Sequence, residues 1–129
     1  MKLFVVIRGA KERTEALCVQ IAEKLVGSDN VVLLNEPSFA EAHIKSLEIA
    51  AALKGYDYVI FLDADILLIQ ESFITTIKKG LATVNDKNFY MLNYQIFDRQ
   101  CITPVYGMHL YNIESIKKAL PYKHIALGA

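Results

Sequence analysis

An excess of charge of either sign is what this sequence most plainly lacks: 14 Lys and Arg residues stand against 14 Asp and Glu, for a formal net charge of zero. With no field of one sign, electrostatics favour neither nucleic acid nor an acidic membrane surface, and a small polar ligand is a better expectation than a polyanion. A long hydrophobic run is missing too. No stretch approaches the roughly 20 apolar residues that cross a bilayer, so no transmembrane segment is expected. Cysteine is scarce: Cys18 and Cys101 lie far apart, match neither a metal-ligand nor a redox spacing, and read as reduced thiols of a cytoplasmic protein. Repeats, low-complexity tracts and linkers are absent, and a length of 129 residues suits one compact domain, residues 1–129, with a substantial core.

What is present is an apolar run, Tyr56 to Leu62, that ends abruptly in Asp63-Ala64-Asp65. Rich in aromatic and β-branched residues and too short for a free-standing helix, it predicts a strand buried on both faces in a parallel sheet. Two acids at its carboxyl end sit where open α/β sheets bind ligands. In extended backbone, residues two apart point the same way, so the two carboxylates are expected to share one small volume and to repel unless a cation or a raised pKa relieves them. Acids ahead of a helix also complement its dipole, which is the purely structural account of the pair.

The rest of the chain reads as scaffold. Met1 to Arg8 resembles a signal-peptide core, but a charged helical segment follows without a small-residue cleavage pattern, so it reads as a first strand. Gly9 to Gly27 predicts a turn and an amphipathic helix with Ala16, Leu17, Ile21, Leu25 and Val26 inward. Val31 to Leu34 is a second buried strand, ended by Pro37, with Ser38 placed to cap a helix from Phe39 to about Leu53 that buries Ala42, Leu47, Ile49, Ala50 and Leu53. This β-α-β-α-β order implies right-handed crossovers and a parallel sheet. Beyond the acids, a helix is expected over Phe73–Ala82 after Glu71-Ser72, strands near Phe89–Asn93 and over Val105–Asn112, and a last helix over Ile113–Leu120. The alternation in Tyr94 to Asp98 suits a half-exposed strand.

Paired carboxylates at this spacing suit a hard divalent cation, since Mg²⁺ and Mn²⁺ take oxygen ligands and share themselves between carboxylates and substrate phosphates. With that chemistry in view, Tyr58 to Leu68 resembles the Asp-x-Asp segment of the GT-A fold nucleotide-sugar glycosyltransferases, and Gly107 to Asn112 resembles a later glycine-containing strand of those enzymes. The resemblance implies an α/β, three-layer, nucleotide-diphospho-sugar transferase-like (GT-A, Rossmann-like) domain with a mostly parallel central sheet flanked by helices. It further implies a nucleotide-sugar donor, Mn²⁺ or Mg²⁺ as cofactor, and transfer to a glycan, lipid or protein acceptor that the sequence does not name.

By the same resemblance Asp65 holds the metal, and Asp63 contacts ribose or metal. Arg8 and Arg13 lie where such enzymes receive the nucleotide, Glu36 where an acid meets base or ribose, and Lys45 where a basic residue nears the diphosphate. Each has a bland counterpart: a basic turn, a surface acid beside a proline, a solvated helix lysine. His109 matches a late third metal ligand, although its place within a strand suits an ordinary histidine better; His43 and His124 have no supporting neighbours. Members of that family are normally longer, and the missing part supplies the acceptor site and, in inverting enzymes, the general base. Asp98 and Glu114 are the late acids weighed for that role. Either the chain is a short donor-binding domain, catalytic or not, or a partner chain or oligomer completes the site. A haloacid-dehalogenase-like phosphatase, with Asp63 as nucleophile, also uses Asp-x-Asp after a strand. There Thr or Val usually stands where this chain has Leu67, and the motif lies near the amino terminus.

Overall fold

The computed structural model describes residues 1–68, 72–84, 89–96 and 105–123. Elements alternate along the chain as β1 (Leu3–Arg8), α1 (Glu15–Val26), β2 (Val31–Leu34), α2 (Phe39–Ala52), β3 (Tyr58–Asp63), α3 (Phe73–Ala82), β4 (Met91–Ile96), β5 (Val105–Asn112) and α4 (Ile113–Ala119). The five strands form one sheet in the order β2-β1-β3-β5-β4. β1 runs parallel to both β2 and β3, but β5 is antiparallel to β3 and β4 antiparallel to β5. The sheet is therefore mixed, where the repeated β-α steps of the first half had suggested a mostly parallel one.

The apolar runs end up where their composition sends them. β1 and β3 sit in the middle of the sheet, covered on both faces, and Val5, Val6, Ile7 and Val59 to Leu62 are fully buried. β2 is an edge strand, and Leu33 stays partly exposed there, so that strand is less buried than its sequence suggests. Alternate residues feed two clusters. Val5, Ile7, Ile60 and Leu62 pack with Cys18 and Ala22 of α1 and Phe73 and Ile77 of α3; Val6, Val59 and Phe61 pack with Leu47 and Ala50 of α2 and Ile113 and Ile116 of α4. Helices thus flank the sheet. No described helix is long and apolar enough to cross a membrane.

Local signals set most of the boundaries. Gly27, at φ 94° and ψ 144°, ends α1 with its N–H on the Glu23 carbonyl, an extended positive-φ conformation that glycine adopts without a Cβ penalty. Ser38 accepts from the Glu41 N–H at 3.2 Å and starts α2. Asn112 closes β5 and caps α4 at once, accepting from the N–H groups of Glu114 and Ser115. Two expectations shift. The inward stripe of α1 is Cys18 and Ala22, joined by the partly buried Val19, Leu25 and Val26, while Ala16 and Leu17 face outward, Leu17 at 46% exposure. β4 starts at Met91 rather than near Phe89, because the Phe89 carbonyl accepts from the Ser115 hydroxyl and its ring stacks on Tyr58 instead of joining the ladder. Of the ambiguous segment, Tyr94 to Ile96 complete β4; residues 97–104, with Asp98 and Cys101, lie outside the described residues, as do Glu71 and His124.

The rotated face of α1 is testable by urea unfolding. Leu17→Ser should change stability by no more than about 0.5 kcal/mol, as for surface sites in general. Ala22→Leu should cost about 1–3 kcal/mol by overpacking a closed contact.

Candidate functional site

β1 and β3 pair so that Arg8 lies directly beside Asp63, each the last residue of its strand, with Leu34 on the other side of Arg8. The ladder closes with the Gly9 N–H on the Leu34 carbonyl and the Ala64 N–H on the Arg8 carbonyl. Strand register alone therefore brings Arg8, Asp63 and the segment after β2 to one end of the sheet. There a cleft of about 310 Å³ opens, lined by Arg8, Glu12, Glu36, Ser38, Phe39, Asp63 and Asp65 among others. That volume is at the lower end for ligand sites.

Asp63 and Asp65 do face one space, though not by strand alternation. The strand stops at Asp63; Ala64 is fully buried, and the Ile66 N–H returns to the Asp63 carbonyl in a tight turn. Thr14, in the loop after β1, donates its hydroxyl to the Ala64 carbonyl at 2.8 Å and holds that turn against the loop. The loop is itself constrained: Lys11 adopts φ 63°, rare for a residue with a side chain, and the Ala10 N–H donates to the Glu12 carboxylate.

The electrostatics centre on Arg8. Its side chain is only 7% exposed, and a terminal nitrogen donates to Asp63 Oδ1 at 3.1 Å, with Asp63 itself 40% exposed. The guanidinium lies 5.3 Å from the ring centre of Phe39 and 5.6 Å from that of Phe61. Its other terminal nitrogen reaches His43 Nδ1 at 3.4 Å, while its Nε is buried with no hydrogen-bond acceptor. Burial pushes the Asp63 carboxyl above its ordinary value; Arg8 opposes that rise, and Asp65 adds to it. Cys18, whose thiol donates to the Asp63 carbonyl, is pushed up to about 11 by burial and then by Asp65, Glu12, Asp63 and Glu15. The site carries more negative charge than its one buried cation balances.

Among residues singled out from sequence, Arg8, Glu36, Asp63 and Asp65 line this cleft, and Arg13 and Lys45 do not. Arg13 is exposed in the loop, and Lys45 pairs with Glu36 at 2.9 Å on α2. His109 stands on β5 opposite Phe61, hydrogen-bonded to Asn93 on β4, and is not part of the lining. Glu114 is carried to the far end of the sheet, because β5 runs antiparallel and Asn112 pairs with Tyr58 at the start of β3; it pairs there with Lys117. Asp98 lies outside the described residues. Among the described residues no group of three or more His, Cys, Asp or Glu is arranged to hold a metal ion. Sequence reading missed Phe39 and His43, whose i, i+4 spacing on α2 was the available signal; their rings stack at 6.0 Å and 9° beside Arg8.

Comparison with known proteins bears on the fold. The sequence matches no family model and no curated protein sequence. Among solved structures it is similar to A197 from STIV, at 14% identity and TM-score 0.65, over 92% of this chain and 68% of that one. It is also similar to a glycosyltransferase involved in the glycosylation of the major capsid of PBCV-1, at 13% identity and TM-score 0.60, over 97% of this chain and 65% of that one. The chain spans about two thirds of either neighbour's length. At such identities the likeness is one of fold, a glycosyltransferase-like α/β arrangement.

Two measurements check the site's electrostatics. Asp63→Asn strands a buried guanidinium and should cost about 1–3 kcal/mol in urea unfolding, less than for a fully buried pair because Asp63 is partly solvated. Asp65→Asn should change stability by less than about 0.5 kcal/mol. Burial and then the Arg8 charge lower the pKa of His43, and the same two causes lower that of His109, from an ordinary 6.5. Folding therefore favours the neutral rings, and the stability they contribute, present above pH 6.5, is lost as pH falls through the folded values. Thermal melts from pH 7.5 to 5 should show that decline, and His43→Gln should flatten it.

Proposed function

We propose that this chain is a glycosyltransferase-type domain of GT-A, three-layer architecture that binds a nucleoside-diphosphate sugar and transfers the sugar to an acceptor. The observation that supports it best is the convergence of Arg8, Asp63 and Asp65 in one cleft at the carboxyl ends of the parallel strands, the place where such sheets receive ligands. One of the two neighbours in fold is a glycosyltransferase, which favours the same reading.

A divalent cation suits the donor set. Two carboxylates that line one cleft, one of them raised by burial and by its neighbour, leave negative charge that Arg8 only partly offsets. Asp65, exposed at the turn, is the primary ligand in this reading, and Asp63 the secondary one, since Arg8 already engages an Asp63 oxygen. Phosphate oxygens and water complete the shell, as is usual for Mg²⁺ and Mn²⁺, so a third protein ligand is not required. When bound, the cation would neutralise charge growing on the diphosphate leaving group. Arg8 keeps Asp63 oriented toward the cleft and lowers the cost of holding two acids together.

A second reading, a nucleotide-binding domain without a complete active site, draws on Glu114. With it at the opposite end of the sheet, the described residues place no late acid near the pair. The two readings share donor binding and part at transfer.

Donor binding is checked by thermal shift with nucleoside diphosphates and nucleotide sugars, with Mn²⁺ or with a chelator. Ligand at 100 times Kd should add about 2.7 kcal/mol of stability, seen as a rise of several degrees in Tm, only when metal is present. The Asp63→Ala/Asp65→Ala double variant should lose that rise. A shift that persists in chelator and in the double variant overturns the metal-held donor.

A further inference from the structure

An arginine carries its terminal nitrogens in a planar fork, and beside a carboxylate the fork frequently clamps both oxygens. Arg8 splits its fork instead. Nη2 donates to Asp63 Oδ1 at 3.1 Å, while Nη1 turns to α2 and lies 3.4 Å from His43 Nδ1. Arginine has no acceptor atom and keeps its protons, so the second bond has one direction: Nη1 donates and the Nδ1 lone pair accepts. The imidazole in that contact is therefore neutral, with its proton on Nε2.

The ring is fixed from two sides. Phe39 stacks parallel to it at 6.0 Å, Phe61 meets it edge-on at 6.1 Å, and both phenyl rings also face the Arg8 guanidinium. Without an acceptor at position 43, Nη1 would lose its bond to α2, and the fork would be free to close on both oxygens of Asp63. A cation would then compete with a bidentate arginine for that carboxylate.

We infer that His43 is a positioning residue for the cation site: its ring holds one arm of the Arg8 fork away from Asp63, so that the second oxygen of Asp63 stays open to the cleft. This rests on the metal-held donor proposed above and gives that site an outer support. The arrangement requires a neutral ring, since protonation at Nδ1 would set N–H against N–H and a second positive charge beside the guanidinium. Around His43, β1 contributes Arg8, β5 contributes His109 and β3 contributes Phe61. Burial first, and then the charges of Arg8 and His109, lower the His43 pKa from 6.5, which keeps the ring neutral at pH 7.5.

Mn²⁺ binding to the full chain, read from the free-ion signal in electron paramagnetic resonance, tests the role with the metal alone. His43→Phe keeps an aromatic ring in the stack but removes the acceptor. It should weaken Mn²⁺ binding at pH 7.5 by roughly tenfold, the lower end for outer-shell partners of metal ligands. His43→Asn sets a carbonyl oxygen near the place of Nδ1 and should bind nearly as the wild type does. As the pH falls from 7.5 to 5, wild-type affinity should drop toward that of His43→Phe, and His43→Asn should show just the shallower decline that protonation of the acids causes. Circular dichroism melts verify the fold of each variant. Wild-type affinity in His43→Phe, a loss that His43→Asn does not reverse, or parallel pH profiles in wild type and His43→Asn overturn the positioning role and leave the cation site standing. Wild-type protein that binds no Mn²⁺ overturns both.

Discussion

The contact between Arg8 and Asp63 is the constraint around which the site is built. It arises from backbone pairing: β1 and β3 are central, fully buried strands, and their register sets the two residues side by side at the point where each strand ends. Neither charge would be stable there alone. A guanidinium 7% exposed needs an anion and aromatic faces, and it has Asp63, Phe39 and Phe61; a carboxylate crowded by Asp65 needs a cation, and it has Arg8. The pair thus ties the electrostatics of the cleft to the packing of the sheet. Even this arrangement leaves one polar atom, the buried Nε of Arg8, without a hydrogen-bond partner.

Around that pair the fold sorts residues by strand direction. The parallel strands β1, β2 and β3 deliver their carboxyl ends, and so Arg8, Glu36 and the two aspartates, to one side. The antiparallel β5 reverses the rule. It sends Gly107 toward the acids and Asn112 away from them, and α4 with Glu114 follows to the opposite end. His109 is hydrogen-bonded to Asn93, its neighbour on β4. A mixed sheet therefore gathers Arg8, Glu36 and the two aspartates at one end and carries Glu114 to the other.

Much of the architecture was legible in sequence because short-range physics decides it. Fully buried strands need continuous apolar runs, and Val59 to Leu62 is one; helices need caps, and Ser38 and Gly27 are two. α2, α3 and β5 begin where local patterning places them. The errors came where a neighbour from far along the chain decides. Leu17 and Cys18 are both compatible with an inward face of α1, and only the position of the sheet selects Cys18. Phe89 has strand propensity, yet Ser115 and Tyr58 claim it. The pairing of Lys45 with Glu36 depends on how α2 is set against the segment that follows β2.

The sequence by itself determined the alternating α/β order, the buried central strands and the presence of two acids at the end of one of them, since apolar continuity, capping and the abrupt change to charge are properties of neighbouring residues. Tertiary structure alone decided that Arg8 is the partner of Asp63, that a turn and not strand alternation brings Asp65 to the same cleft, and that Glu114 stands at the other end of the sheet. Each of those depends on register or strand direction, which are set by packing between segments tens of residues apart and leave no mark in local composition.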